Sequence, residues 1–173
     1  MLEYSIFDTI IGPIGVVASP RGLKKVELRC PPSDLFKKEL EDEYKNEMME
    51  NNENTLLKKA HSQINKYLSR QLKKFDLPID ISVSPFVEKV LLIVSKIPYG
   101  KIASYREIAK KANSEKSARA VGRAMSANPL PIIIPCHRVI TSEQTLGGYS
   151  AGLDIKAFLL SMEAKENTVK KTF

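Results

Sequence analysis

The chain has 173 residues, 43% hydrophobic and 27% charged, enough for one medium or two small domains with a real core. It holds no run of about 18 apolar residues and opens without a basic region followed by an apolar block, so neither a membrane span nor a signal peptide is expected. The net charge of +7 lies wholly in the second half: residues 1–84 carry 13 basic and 13 acidic side chains, residues 85–173 carry 14 and 7.

Leu2 to Phe7 alternates apolar and polar residues, the pattern of a half-buried strand. Ile14 to Ala18 is a second short strand, closed by the turn Ser19-Pro20-Arg21-Gly22. Val26, Leu28 and Cys30 alternate with charged neighbours in a third, so Cys30 reads as a small core residue. Ser33-Asp34 can cap a helix in which Phe36, Leu40, Tyr44 and Met48 recur every four residues. After the polar break Asn51–Asn54, Leu57, Ala60, Ile64 and Leu68 mark a second helix, with His61 beside its stripe in a structural or exposed role. Phe75 to Val83 alternates again and predicts a last strand. Nothing in residues 1–84 looks catalytic, and a domain boundary is expected there.

From Ser84-Pro85 the texture is helical, proline at a first helical position being pre-set for it. Val87, Val90, Leu91 and Val94 form one face of a helix that ends near Ile97-Pro98-Tyr99-Gly100. Ser104-Tyr105-Arg106-Glu107 is a capping box. Its helix runs to about Asn113, and Ser114 can cap the next, with Ala118, Val121, Gly122 and Met125 as the packed face. Arg119 and Arg123 project together from another face. The pair fits a helix-turn-helix, in which the small residues Ser117, Ala118, Ala120 and Gly122 would allow close approach to DNA. Eight basic residues against two acidic ones within 101–140 favour a polyanion partner such as nucleic acid, the alternative being a merely solvated basic face.

Asn128-Pro129 ends the second helix, and Pro131-Ile-Ile-Ile-Pro135 then delivers Cys136, His137 and Arg138 in succession. With only two cysteines and two histidines in the chain, an adjacent pair is informative. It is either a nucleophile beside its base or a buried strand end whose thiol merely packs. A four-ligand metal site is not expected, because Cys30, His61, Cys136 and His137 are the only candidates and the last two adjoin. Few cysteines without a leader point to a reducing, cytoplasmic setting. Gly147 to Gly152 is a loop able to approach a ligand, and Leu153 to Ala164 is a last helix burying Ile155, Phe158, Leu159 and Met162. Lys165–Phe173 is a polar tail, expected to fray.

Residues 86–164 together resemble the C-terminal domain of the O6-alkylguanine-DNA alkyltransferase (methylated-DNA–protein-cysteine methyltransferase) family. The resemblance rests on Ile97-Pro-Tyr-Gly100, Ser104-Tyr105, Ala118-Arg-Ala-Val-Gly122, Asn128-Pro129, Pro135-Cys-His-Arg-Val139, Gly147…Tyr149-Ser150 and Leu159-Leu160…Glu163. It implies an α/β protein: a small N-terminal α/β domain, RNase H-like, at 1–84, and a mostly helical C-terminal domain with a helix-turn-helix at 85–173. The implied activity is direct-reversal DNA repair, in which one alkyl group passes from O6-alkylguanine to Cys136 and permanently inactivates the protein. His137 would act as base through a bridging water, Glu163 would orient His137, and Tyr105 would donate to the departing purine. Arg119 would fill the space left by a flipped base, with Arg123 adding a phosphate contact where the family often has glycine. Main-chain groups of Cys136 and Val139 would read the base edge, the Ser150 N–H would approach O6, and Tyr149 and Pro131 would wall the pocket. Asn128 would be a structural hinge. The partner implied is double-stranded DNA containing O6-alkylguanine, met by a monomer with no cofactor. Ser142-Glu143-Gln144 and Ala151 depart from the small residues frequent in the family, which bears on the alkyl size accepted.

Overall fold

The computed structural model describes residues 1–113 and 118–164, which fall into two compact units, Met1–Ser82 and a second beginning at Val83. The expected helix cap at Ser114, the Ser117 contact and the 165–173 tail lie outside the described residues.

The first unit is a four-stranded mixed sheet in the order β3-β2-β1-β4, with β1 Leu2–Phe7, β2 Ile14–Ser19, β3 Gly22–Leu28 and β4 Met48–Glu50. Strands β1, β2 and β3 pair antiparallel, and β4 runs parallel to β1 with Leu2 opposite Met48. Helices α1 (Ser33–Tyr44) and α2 (Thr55–Leu68) flank β4 in sequence. Tyr4, Val17, Phe36, Leu40 and Met48 pack in one core cluster with Cys30. A Cβ on Gly15 would come within 2.6 Å of the Phe36 ring and 2.7 Å of the Cys30 sulfur, so only glycine fits in that layer. His61 stacks on the Phe7 ring at 4.0 Å, the structural role anticipated for it.

Two expectations fail here. Met48 does not extend α1: Lys45 adopts a left-handed φ of 52° that ends the helix, and Met48 enters the sheet as a strand. Phe75–Val83 forms no regular strand among the described residues; only Ile79 bridges to Leu23. Pro78 lacks an N–H and offers the ladder just its carbonyl, which accepts from Leu23 N at 2.9 Å. The order is therefore strand-strand-strand-helix-strand-helix.

The second unit contains α3 (Pro85–Val94), α4 (Tyr105–Lys111), α5 (Ala118–Ser126) and α6 (Leu153–Ala164), with a two-stranded parallel pair, β5 (Ala103–Ser104) and β6 (Val139–Ile140). The capping box is formed: Glu107 N donates to Ser104 Oγ at 3.2 Å, and Ser104 N donates to Glu107 Oε2 at 2.6 Å. Helix α5 buries Val121, Ala124 and Met125, whereas Ala118 is exposed and Gly122 faces open space, so these two are not part of its packed face. Helix α6 buries Ile155, Leu159 and Met162 as expected, but Phe158 is exposed and Lys156 and Glu163 are buried. Its stripe carries two charges, and both face the site described next.

Candidate active site

The Pro131–Pro135 run is not a strand. Ile134 N donates to Leu130 O at 2.8 Å, Pro131 bridges to Ile134, and Ile132 takes a φ of 73°, rare for a β-branched residue. This closed turn feeds a single 3-10 turn, Cys136–Arg138, whose three side chains are all buried. Asn128 holds the corner from outside. Its Oδ1 accepts from Leu130 N at 3.0 Å, while its Nδ2 donates to Ile134 O at 3.0 Å and to the Cys136 sulfur at 3.1 Å. The hinge reading of Asn128 thus understates its place: it touches the thiol. Burial pushes the Cys136 thiol up; the Asn128 donor, the positive charge of Lys156 and the Tyr149 phenol oppose that rise. The buried Tyr149 hydroxyl meets no hydrogen-bond partner among the described residues, yet it lies close enough to the sulfur for each group to perturb the other's ionisation.

Behind the cysteine, His137 is fully buried and its Nε2 lies 2.9 Å from Glu163 Oε1. A carboxylate there accepts the Nε2 proton and sets the tautomer that leaves Nδ1 as the basic nitrogen. Burial lowers the His137 pKa below 6.5; the Glu163 contact opposes the fall, and the charges of Arg138 and Lys156 deepen it. Glu163 is also gripped by Arg138, whose Nε reaches Oε2 and whose Nη2 reaches Oε1, both at 2.9 Å. Gly100 N adds a bond of 3.0 Å to Oε2, donated from a turn with φ of 72° that glycine adopts without strain. Arg138 Nη1 donates to Ile97 O at 2.6 Å, which ties the network to the end of α3.

In front of the cysteine, an open cavity of about 550 Å³ is lined by Tyr105, Ala118, Arg119, Gly122, Tyr149 and Ser150 among others, with Cys136 part of its wall. Tyr105 begins α4, is half-buried, and sends its hydroxyl toward Gly148 O at 3.5 Å. Burial raises its pKa, and a negative charge on Cys136 would raise it further. Gly147, at φ of 68°, packs on that ring: a Cβ there would sit 3.0 Å from Tyr105 Cε2.

The structure therefore brings Cys136, Tyr105, Tyr149, Ser150, Ala118, Arg119 and Gly122 around one cavity, with His137 and Glu163 buried behind it. Val139 and Pro131 are not on that wall. Val139 is wholly buried in β6, and Pro131 is buried in the turn, bridged to Ile134. Arg123 is exposed and Ala120 half-buried on α5, both outside the cavity. The sequence reading missed Arg138 and Gly100 as clamps on Glu163, and Lys156 entirely. The signal for Lys156 is its spacing: it stands seven residues before Glu163, on the same stripe of α6 as Ile155 and Leu159. Among the described residues, no group of three or more His, Cys, Asp or Glu side chains could hold a metal ion.

A buried cysteine opening on a cavity beside a basic helix, with an imidazole–carboxylate pair behind it, defines a thiol group-transfer site built on a DNA-binding type of domain. Family comparisons agree with both units: residues 85–165 match the 6-O-methylguanine DNA methyltransferase DNA binding domain, and residues 2–81 match its ribonuclease-like domain. The chain belongs to the methylated-DNA–protein-cysteine methyltransferase family. The Methanosarcina acetivorans protein of that name is 39% identical over 162 residues, covering 94% of this chain and 98% of its own. The Methanosarcina barkeri protein is 38% identical over 169 residues, covering 98% of this chain and all of its own. Among solved structures, Mycobacterium tuberculosis OGT in complex with DNA superposes with a TM-score of 0.82 at 31% identity, covering 94% of this chain and 93% of that one. The Methanococcus jannaschii O6-methylguanine DNA methyltransferase gives 0.67 at 34% identity, covering 97% of each chain.

Proposed function

We propose that this protein repairs O6-alkylguanine in double-stranded DNA by moving the alkyl group onto Cys136, once per molecule. The observation that carries the reading is the placing of Cys136 in a cavity wall shared by Arg119 of α5 and Tyr105 of α4. The alkyl carbon is bound to a poor leaving group, and a soft thiolate is suited to attack it in line. His137 takes the thiol proton through a bridging water, and Glu163 holds the imidazole for that task. The S–C bond forms as the C–O6 bond breaks, and the electron pair passes to the purine. Tyr105 donates its hydroxyl hydrogen to N3 and so neutralises the departing base. The Tyr105 proton is then restored from the imidazolium through solvent. The product is a thioether, which nothing in the site reverses.

A base within a duplex cannot reach this cavity, so it must be flipped out at a cost of roughly a few kcal/mol. Arg119 enters the vacated stack, Ala118, Ala120 and Gly122 of α5 offer a face thin enough for a narrow groove, and Arg123 meets a phosphate. The Ser150 N–H and the Cys136 main chain read the base, with Tyr149 as a wall. The protein acts as a monomer without a cofactor, and the need for a free thiol places it in a reducing cytoplasm. The test is a duplex carrying one O6-methylguanine: the wild type should restore guanine and Cys136→Ala should not. Restoration by Cys136→Ala would overturn the assignment of the acceptor.

A further inference from the structure

Five polar or charged side chains of the described residues are buried, and four of them, His137, Arg138, Lys156 and Glu163, belong to this site. Their charges do not cancel. Arg138 is committed to Glu163 by a two-pronged contact, and burial disfavours the charged form of His137. That leaves Lys156, with none of its surface exposed, as one positive charge without a buried negative partner among the described residues. Its ammonium is held in place by three main-chain carbonyls. Nζ donates to Val139 O at 2.6 Å, to Gly148 O at 3.2 Å and to Leu146 O. An ammonium has three N–H donors and no lone pair, so three carbonyls satisfy the charged form and a neutral amine would leave one carbonyl unmet. Carbonyl dipoles do not neutralise the charge, and burying an ion without a counter-ion is costly. Among the described ionisable groups that interact with Lys156, Cys136 is the one whose anion the transfer chemistry requires.

We propose that Lys156 is the electrostatic partner of Cys136, a positioning residue whose fixed ammonium supplies the positive charge against which the thiolate forms. The inference rests on the alkyl-transfer reading above and deepens it. His137 and Glu163 remove the proton; Lys156 makes the resulting anion tolerable in a buried place. Among the described residues, the ionisable groups that interact with the sulfur are Lys156, Tyr149 and Tyr105, and those that interact with Lys156 are Cys136, Tyr105 and His137. Neither tyrosine is anionic near neutrality, so neither replaces Cys136 as the counter-charge. Burial pushes the Lys156 pKa down to about 8 while a Cys136 thiolate pulls it up, the mutual effect expected of a latent ion pair. The same ammonium lies 5.8 Å from the centre of the Tyr105 ring, so one cation faces both groups that change charge during transfer.

The test is the pH profile of Cys136 labelling by iodoacetamide, which forms an S–CH2 bond and releases iodide without needing a purine or DNA, read by peptide mapping apart from Cys30. In Lys156→Met the midpoint of Cys136 labelling should rise by about one pH unit or more, the size of effect one close opposite charge has on an ionisation. At neutral pH that is about a tenfold slower reaction, and Lys156→Arg should recover most of it. An unchanged midpoint in a folded Lys156→Met protein would overturn the proposal. Should Lys156→Met not fold, the wild type answers by itself. NMR titration of the Lys156 side chain before and after capping Cys136 with iodoacetamide should show its pKa fall on capping, and an unmoved titration would overturn the proposal. Neither readout involves DNA, so a protein that labels as expected yet fails to accept a methyl group would refute the alkyl-transfer reading and leave this one standing.

Discussion

Glu163→Gln is the most demanding perturbation of the site, because one side chain there satisfies three partners. The carboxylate accepts from His137 Nε2, from Arg138 Nε and Nη2, each at 2.9 Å, and from Gly100 N at 3.0 Å. Glutamine offers one oxygen where glutamate has two, and its amide would point hydrogens at donors already present on the other side. It also strips Arg138 of its counter-charge in a place where only 7% of that side chain is exposed. Removing one partner of a buried pair costs about 3–5 kcal/mol, which for a chain of this length is a fall of roughly 6–20 °C in the unfolding midpoint. The double variant Glu163→Gln/Arg138→Met removes both charges and should recover more than half of that loss, measured by thermal unfolding at neutral pH. Methyl transfer should slow by about 100-fold in both, since both lose the carboxylate that orients His137. A single-variant loss below about 1 kcal/mol, or losses that simply add in the double variant, would refute the buried network as described.

The remaining expectations concern protons and the DNA face. Burial holds the folded His137 below its ordinary 6.5. A base with a lowered folded pKa contributes stability that is present above the unfolded value and lost as pH falls through the folded one. Unfolding midpoints should therefore decline as pH drops below about 6.5, more weakly in His137→Gln, while the acid limb of the transfer rate should also lie below about 6.5; a limb above about 7 would contradict a buried neutral imidazole. On the DNA face, Arg119→Ala should weaken repair in duplex DNA more than reaction with free O6-benzylguanine, and equal losses would mean Arg119 does not fill the stack. A methyl group at Gly122 would meet nothing within 4 Å among the described residues. Gly122→Ala should then keep or raise stability by up to about 1 kcal/mol while weakening duplex binding in a fluorescence titration; unchanged binding would mean this face stays out of the groove.

How much of this was legible depended on whether a local pattern carried the information. The capping box at Ser104–Glu107 and the proline at the start of α3 are local signals, and both formed where expected. The alternation of Phe75–Val83 was misleading because period-two patterning says nothing about whether a neighbouring strand can use the N–H groups, and Pro78 has none to give. Met48 fell on the helical period of α1 by chance of spacing, while the left-handed Lys45 had already ended the helix. The adjacency of Cys136 and His137 was plain in the sequence. What it could not carry was the distance between those residues and α6, so that Arg138 counted as one more member of a basic surface and Lys156 drew no notice. Their burial follows from tertiary pairing, with a carboxylate in one case and with three carbonyls in the other. Conversely, Phe158 fits the apolar stripe by hydropathy, yet it is 39% exposed because Lys156 and Glu163 occupy the inward positions.

The central claim, that Cys136 is a stoichiometric acceptor, is tested most directly by intact-protein mass analysis after incubation with excess O6-methylguanine duplex. The account predicts a gain of one methyl group per protein, mapped to Cys136, with the amount of guanine restored equal to the amount of protein. More guanine restored than protein present, or a methyl group mapped to any other residue, would contradict it.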